Sequence, residues 1–135
     1  MKKILLIDDD YLSLQDQVED LRKTYLYDVD WKLDASEVIE FVKTGNFNGI
    51  ILDIMMPIPA EWSKDDQRSA KDGMLTGRVL FERIRAIHPT IPILIYSAKT
   101  GLSGNLLDSK SAYLRKPENV KTIVEQLKKL MKDEK

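Results

Sequence analysis

Several short apolar segments of this 135-residue chain end in, or lead directly to, side chains that can do chemistry. These side chains are carboxylates, a hydroxyl and an amine, namely Asp8, Asp9, Asp53, Ser97 and Lys116. Two carboxylates about 4 Å apart repel by roughly 4 kcal/mol at an effective dielectric near 20, so such a cluster either raises a pKa or binds a cation. A set of oxygen ligands without nitrogen or sulfur favours Mg²⁺ or Mn²⁺ over zinc. A lysine and a small hydroxyl suit phosphoryl oxygens, and a carboxylate can act as a nucleophile that forms an aspartyl phosphate. The residue types therefore predict a phosphoryl-binding site with a divalent ion, provided that the fold brings them together.

The hydrophobic pattern predicts strands and helices that would bring these side chains together. Apolar runs alternate with segments of helical period, which is typical of parallel strands joined by right-handed helical crossovers, with helices on both faces of the sheet. The predicted strands cover residues 4–7, 29–33, 49–53, 91–97 and 112–114. Asp10 is a predicted N-cap of the first helix, and Asp34 and Ser36 are candidate N-caps of the second. Ligands of such sheets bind beyond the carboxyl ends of the strands, which is where the candidate side chains stand.

The composition narrows the classes of function. A net charge of -1 argues against a general nucleic-acid or membrane-surface binder. The chain has no cysteine and one histidine, His88, which excludes disulfides, zinc thiolates, cysteine nucleophiles and multi-histidine metal sites. No apolar run approaches the ~20 residues of a membrane helix, and the run after Met1 is too short for a signal peptide. We therefore expect one cytoplasmic domain over residues 1–135, with no output domain.

Four ordered motifs resemble those of the receiver domains of bacterial two-component response regulators. They are KILLIDDD at 3–10, ILDIMMP at 51–57, IPILIYSA at 91–98 and YLRKP at 113–117. The resemblance runs through almost the whole chain. It implies a flavodoxin-like, doubly wound α/β fold with a five-stranded parallel sheet in the order 2-1-3-4-5, an order that comes from the family and not from the pattern.

The resemblance also implies how the acidic residues act. Asp53 would accept a phosphoryl group from the phosphohistidine of a sensor histidine kinase or a phosphotransfer protein. Asp9, Asp53 and the backbone carbonyl of Met55 would hold Mg²⁺, or Mn²⁺, directly, and Asp8 would act through a metal-bound water. The domain would then catalyse only its own phosphorylation and, through attack by water, its own dephosphorylation, and would not be an enzyme in the usual sense.

Three further residues receive roles from the same resemblance. Lys116 would pair with the phosphoryl oxygens, and its bond to Pro117 would be cis. Ser97 and Tyr113 would be the switch residues, Ser97 by binding the phosphoryl group and Tyr113 by turning inward. The new dianion would thereby shift a two-state population, and the output would be contact with a downstream protein that the sequence does not name.

One departure from the family pattern is an insertion at about residues 58–76. Ser63 and Asp66 have the spacing of a capping box, which predicts a short extra helix over 64–72. The insertion is either a lid or docking element anchored by Trp62, or a solvated excursion with Trp62 packed against its own domain. The sequence leaves both interpretations open.

Two other departures concern the loops around the site. The stretch between Ser97 and Lys116 is shorter than usual and rich in glycine and serine, so we expect a short or irregular helix around 102–107 and do not predict the family's usual dimer. Met55 stands where receivers have a residue that flanks the attacking water. Because its side chain cannot orient water, we expect a long-lived phosphoryl state.

Two other classes remain as alternatives. A phosphorylation-independent interaction module of the same fold would keep the acidic edge without using it. An aspartyl-phosphate phosphohydrolase would need an acid–base aspartate two residues after its nucleophile, where this chain has Met55. Nucleotide binding in the manner of flavodoxin is disfavoured by the acidic first loop.

Overall fold

The structure, a computed structural model, describes residues 1–99 and 107–132. A sheet of five parallel strands lies at its centre, in the order β2-β1-β3-β4-β5. The strands are β1 (Lys3–Ile7), β2 (Asp28–Lys32), β3 (Gly49–Leu52), β4 (Ile93–Ser97) and β5 (Ser111–Arg115). This is the doubly wound, flavodoxin-like order that the family resemblance implies, so that expectation is confirmed.

Helices cover both faces of the sheet. They are α1 (Tyr11–Lys23), α2 (Val38–Thr44), α3 (Lys64–Ser69), α4 (Thr76–Ile87) and α5 (Val120–Met131). α1 and α5 pack on one face with Ile4 and Leu6, and α2 and α4 pack on the other with Leu5 and Ile7. Successive residues of β1 thus point to opposite layers, and both are apolar because the strand is buried on both sides. Among the described residues, no helix is both long and apolar enough to cross a bilayer.

The first residues of helices α1 and α2 test the N-caps predicted from the sequence. Asp10 caps α1 as predicted, since its carboxylate accepts a hydrogen bond from the Ser13 amide at 3.3 Å. The predicted caps of α2 are wrong. Asp34 accepts from the amide of Ser36 in a turn, and α2 begins only after Glu37, which adopts a left-handed φ of 61°. Of the helix predicted around 102–107, residues 102–106 lie outside the described residues.

The insertion contains the predicted extra helix in a shorter form. The Ser63 hydroxyl accepts from the Asp66 amide at 3.1 Å, which is half of the expected capping box, and α3 follows. α3 ends at Ser69 instead of residue 72, because Lys71 and Asp72 have φ values of 49° and 58° that leave the right-handed helical region.

Backbone contacts close the insertion at its base. The Met56 amide donates to the Gly73 carbonyl at 3.1 Å, and the buried Thr76 hydroxyl donates to the Met56 carbonyl at 2.6 Å. Asp66 of α3 forms an ion pair with Arg83 of α4. The insertion therefore leaves and rejoins the domain at one point, and its helix α3 contacts α4.

Trp62 is partly buried against the core layer beneath α2 and α4. This position matches the second of the two interpretations of the insertion, in which Trp62 packs against its own domain.

Candidate functional site

Three aspartates meet where β1 and β3 end. Asp8 and Asp53 follow the paired residues Ile7 and Leu52 of these adjacent parallel strands, and the Asp53 amide donates to the Ile7 carbonyl at 3.0 Å. One carboxylate oxygen from each of Asp8, Asp9 and Asp53 lies within 4.8 Å of the others. The structure thus brings together the three acidic residues predicted from the strand ends.

Lys116 joins this cluster from the far side of the sheet. Its amide donates to the carbonyl of Ser97 at 3.0 Å, which continues the pairing of β5 with β4. Its Nζ lies 2.6 Å from Asp8 Oδ2 and 3.5 Å from Asp53 Oδ2. The Lys116–Pro117 bond is cis, as the family resemblance implies.

The charges of the cluster are not balanced. Burial, reinforced by the nearby charge of Asp53, raises the pKa of Asp8 to about 6, against the opposing effect of Lys116. The pKa of Asp9 is also raised, first by burial and then by Asp53. Burial alone would lower the pKa of Lys116, but its bonds and proximity to the two carboxylates raise it. Three carboxylates against one ammonium make an all-oxygen donor set with excess negative charge, which fits a hard divalent cation.

Asp53 faces an open pocket of about 380 Å³. Its side chain is 8% exposed, one oxygen accepts from the Ile54 amide at 2.8 Å, and the other faces Lys116. The pocket is lined by Asp9, Asp10, Asp53, Met55, Ser97, Ala98 and Lys116. A small phosphoryl group can therefore reach the Asp53 carboxylate from solvent.

The two predicted switch residues are linked through the loop after β4. The Ser97 hydroxyl is buried, lies 3.4 Å from the Ile54 amide, and accepts from the Lys99 amide at 3.2 Å. The Tyr113 hydroxyl lies 2.7 Å from the Lys99 carbonyl and 3.2 Å from that of Ser97. Tyr113 is thus attached to the backbone that carries Ser97.

The insertion contributes none of the described side chains that line this pocket. Met55, which is 46% exposed, precedes the insertion and lines the pocket. α3 contacts α4, in part through the ion pair of Asp66 with Arg83.

Gly77 places the first turn of α4 directly against the backbone of Asp53 and Ile54, just after β3. Its amide donates to the Ile54 carbonyl at 2.8 Å, and a Cβ at this position would lie 2.0 Å from the Asp53 carbonyl oxygen. Only glycine permits this approach, so Gly77 supports the backbone of Asp53.

Two aromatic residues that support the site, Trp31 and Tyr96, are absent from the predictions made from the sequence. The indole of Trp31 donates to the Asp8 carbonyl at 3.0 Å and stacks on Tyr11, with ring centroids 5.1 Å apart. The buried Tyr96 contacts the segment after Lys116. The one available signal was a tyrosine within an otherwise aliphatic strand, directly before Ser97.

Comparisons with known proteins agree with this architecture. No protein-family model matches the chain, and no curated protein matches its sequence. The receiver domain of the Francisella response regulator 1452 is similar over 100% of both chains, with 25% identity and a TM-score of 0.76. A second similar structure is the receiver domain of sensor histidine kinase PA1611 from Pseudomonas aeruginosa, with a magnesium ion coordinated in its active site cleft. It is 20% identical over 97% of this chain and 98% of its own chain, with a TM-score of 0.72.

A third similar structure is the response regulator TrrA from Thermotoga maritima in complex with Mg²⁺-BeF. It is 24% identical over 96% of this chain and 99% of its own, with a TM-score of 0.70. The fold of the chain is that of CheY-like response regulator receiver domains, which confirms the resemblance predicted from the four sequence motifs.

Proposed function

We propose that the chain is a phosphoacceptor signalling domain in which Asp53 receives a phosphoryl group from a phosphohistidine of a sensor histidine kinase or phosphotransfer protein. The observation that carries the proposal is the open pocket in which Asp53 lies among two further carboxylates and 3.5 Å from the ammonium group of Lys116. The receiver fold supports this assignment of function.

The donor set fits a magnesium ion. Asp9, Asp53 and the backbone carbonyl of Met55 would hold Mg²⁺, or Mn²⁺, and Asp8 would act through a bound water. The ion would offset the negative charge of the phosphoryl oxygens. The magnesium in the Pseudomonas receiver domain and the Mg²⁺-BeF complex of TrrA support this part of the proposal.

In the transfer, an Asp53 carboxylate oxygen attacks phosphorus as the phosphorus–nitrogen bond of the phosphohistidine breaks. The electron pair of that bond returns to the imidazole, and a new oxygen–phosphorus bond forms on Asp53. The Ile54 amide orients the Asp53 carboxylate, and Lys116 stabilises the charge on the phosphoryl oxygens. The positions of the Ile54 amide and of Lys116 beside the Asp53 carboxylate support this part of the proposal.

The output follows from the new dianion. Ser97 would turn to donate a hydrogen bond to a phosphoryl oxygen, which would remove its bond with the Lys99 amide and alter the loop that Tyr113 holds. The changed surface would be recognised by a downstream protein. In this proposal residues 1–135 act in the cytoplasm as one receiver domain, with an insertion at about 58–76.

The proposal is tested with Mg²⁺ and a small phosphodonor such as acetyl phosphate, followed by intact mass measurement. Wild type should gain one phosphoryl group, and Asp53→Asn should gain none. Asp34→Asn, which changes an exposed aspartate outside the pocket, is the matched control and should react like wild type. Equal modification of wild type and Asp53→Asn, or of neither, would overturn the proposal.

A further inference from the structure

Tyr96 is a buried polar residue that the proposed transfer does not use. It precedes Ser97 in β4 and is 3% exposed, in the layer beneath α1 and α5. A tyrosine hydroxyl buried in an apolar layer is costly unless it has hydrogen-bond partners. The partners it has are therefore informative about its role.

Those partners lie in the segment just after Lys116. The Tyr96 hydroxyl accepts from the Glu118 amide at 2.9 Å and lies 3.2 Å from the Glu118 carbonyl. Gln17 of α1 approaches the same place, because its amide donates to the Glu118 carbonyl at 2.6 Å and its side-chain oxygen lies 3.4 Å from the Tyr96 hydroxyl. Two side chains from distant elements thus hold both backbone polar groups of Glu118.

The ring of Tyr96 also meets Lys116 itself. The Lys116 Nζ lies 5.6 Å from the ring centroid, within the range of a cation–π contact. On its other side, the backbone of Lys116 is held by the Ser97 carbonyl at 3.0 Å. The peptide that carries Lys116 is therefore fixed before and after the side chain, and the ring lies beside its ammonium group.

A lysine needs such support to act at one point in space. Its four-carbon side chain is flexible, and the loss of rotamer freedom on ordering it opposes a fixed position. The Nζ of Lys116 must nevertheless lie near both Asp8 and Asp53. Contacts that hold its backbone on both sides reduce the number of positions open to that amine.

We propose that Tyr96, supported by Gln17, is a positioning residue that places Lys116 for phosphoryl transfer. This inference rests on the proposed function. The contacts of Tyr96 near the site are with Lys116 and with the peptide of Glu118, so its effect passes through them. Removing the hydroxyl takes away the acceptor of the Glu118 amide, while the Gln17 side chain still donates to the Glu118 carbonyl. The change leaves the carboxylates of Asp8, Asp9 and Asp53 in place.

The test compares Tyr96→Phe, which keeps the ring, with Tyr27→Phe. Tyr27 is a second buried tyrosine, placed just before β2 at the opposite end of the sheet, and it serves as the matched control. Tyr96→Phe should slow phosphorylation by acetyl phosphate roughly two- to tenfold, the rate equivalent of one lost hydrogen bond. Its affinity for Mg²⁺, measured by titration calorimetry, should stay near that of wild type, and Tyr27→Phe should match wild type in both.

A second readout follows Lys116 without any phosphoryl transfer. In ¹⁵N spectra, the ammonium signal of Lys116 should be sharp and protected from exchange in wild type and in Tyr27→Phe, and broadened in Tyr96→Phe. Gln17→Met should produce the same changes in smaller measure. The double variant Gln17→Met/Tyr96→Phe should be phosphorylated only slightly more slowly than Tyr96→Phe alone, because both side chains act through Glu118.

The outcomes separate this inference from the proposed function. Wild type that accepts no phosphoryl group would contradict the proposed function. Wild type that reacts while Tyr96→Phe reacts equally fast, with an unchanged Lys116 signal, would overturn the positioning role alone. A parallel loss of Mg²⁺ affinity and rate in Tyr96→Phe would also overturn it, since the variant would then be damaging the whole site.

Discussion

Replacing Lys116 with methionine tests the electrostatics of the site most directly. Methionine keeps much of the apolar side chain beside Tyr96 but removes the only ammonium group that contacts the buried carboxylates of Asp8 and Asp53 among the described residues. The variant therefore separates charge from packing. We expect it to be less stable than wild type at neutral pH when divalent ions are chelated.

The distances set the size of the effect. At an effective dielectric of about 20, contacts of 2.6 Å and 3.5 Å correspond to attractions of about 6 and 5 kcal/mol before the cost of desolvation. Desolvation of Lys116 and of the carboxylates cancels much of this. Removing one partner of a buried pair typically costs about 3–5 kcal/mol, because the remaining charge is left buried and unpaired. We expect a loss in that range for Lys116→Met at pH 7.

The assay is urea unfolding followed by circular dichroism, at pH 7 and at pH 4.5, with a chelator present. The loss should shrink at pH 4.5, because Asp8, with a pKa of about 6, is then largely protonated and no longer needs a cationic partner. Lys23→Met removes an exposed lysine that pairs with Glu19 and should leave stability unchanged. A loss below about 1 kcal/mol at pH 7, or an equal loss at both pH values, would refute this account of the site.

Four further predictions follow from the same geometry. With a chelator present, the free energy of unfolding of wild type relative to that of Asp8→Asn should fall by about 2–3 kcal/mol from pH 4 to pH 7. The reason is that the raised pKa of Asp8 makes the folded protein bind this proton more tightly than the unfolded chain does. Parallel pH profiles of the two proteins in urea titrations would contradict this prediction. Gly77→Ala should cost at least about 2 kcal/mol in the same assay, because its Cβ would lie 2.0 Å from the Asp53 carbonyl oxygen, and wild-type stability would show that the contact can relax. Met55→Asn should speed loss of the phosphoryl group by about three- to tenfold, since an amide can orient water and a thioether cannot; an unchanged half-life in intact mass spectra would reject the idea. Deleting residues 60–72 should leave the rates of phosphorylation and dephosphorylation unchanged, since none of these residues lines the pocket, and a marked change in either rate would restore the lid interpretation.

The grouping of the candidate side chains could be predicted from the sequence because it depends on short-range information. Asp8, Asp53 and Ser97 each follow or end an apolar run, and the carboxyl ends of parallel strands meet at one edge of a sheet whatever the details of packing. The order of the strands does not follow from these patterns, since many orders satisfy them. It became predictable only through the resemblance of the motifs to a known family.

The supporting residues could not be predicted because their partners are remote in sequence. Gln17 and Glu118 are 101 positions apart, and Trp31 reaches the carbonyl of Asp8 across 23 positions. Nothing in the local pattern marks such contacts. The start of α2 failed for a different reason, since the left-handed backbone of Glu37 overrides the capping signals of the preceding residues.

The closed base of the insertion makes it a natural place for grafting. Since the Met56 amide meets the Gly73 carbonyl at 3.1 Å, the chain enters and leaves at nearly the same point, and the entropy of closing a loop grows only slowly with its length. Exchanging residues 64–69, none of which is buried, while keeping Trp62 and the buried Ala70 in place should therefore tolerate an epitope tag or a circularly permuted fluorescent protein. Such a fusion would report on α4 from outside the pocket, without occupying the pocket in which we propose that Asp53 meets a phosphodonor.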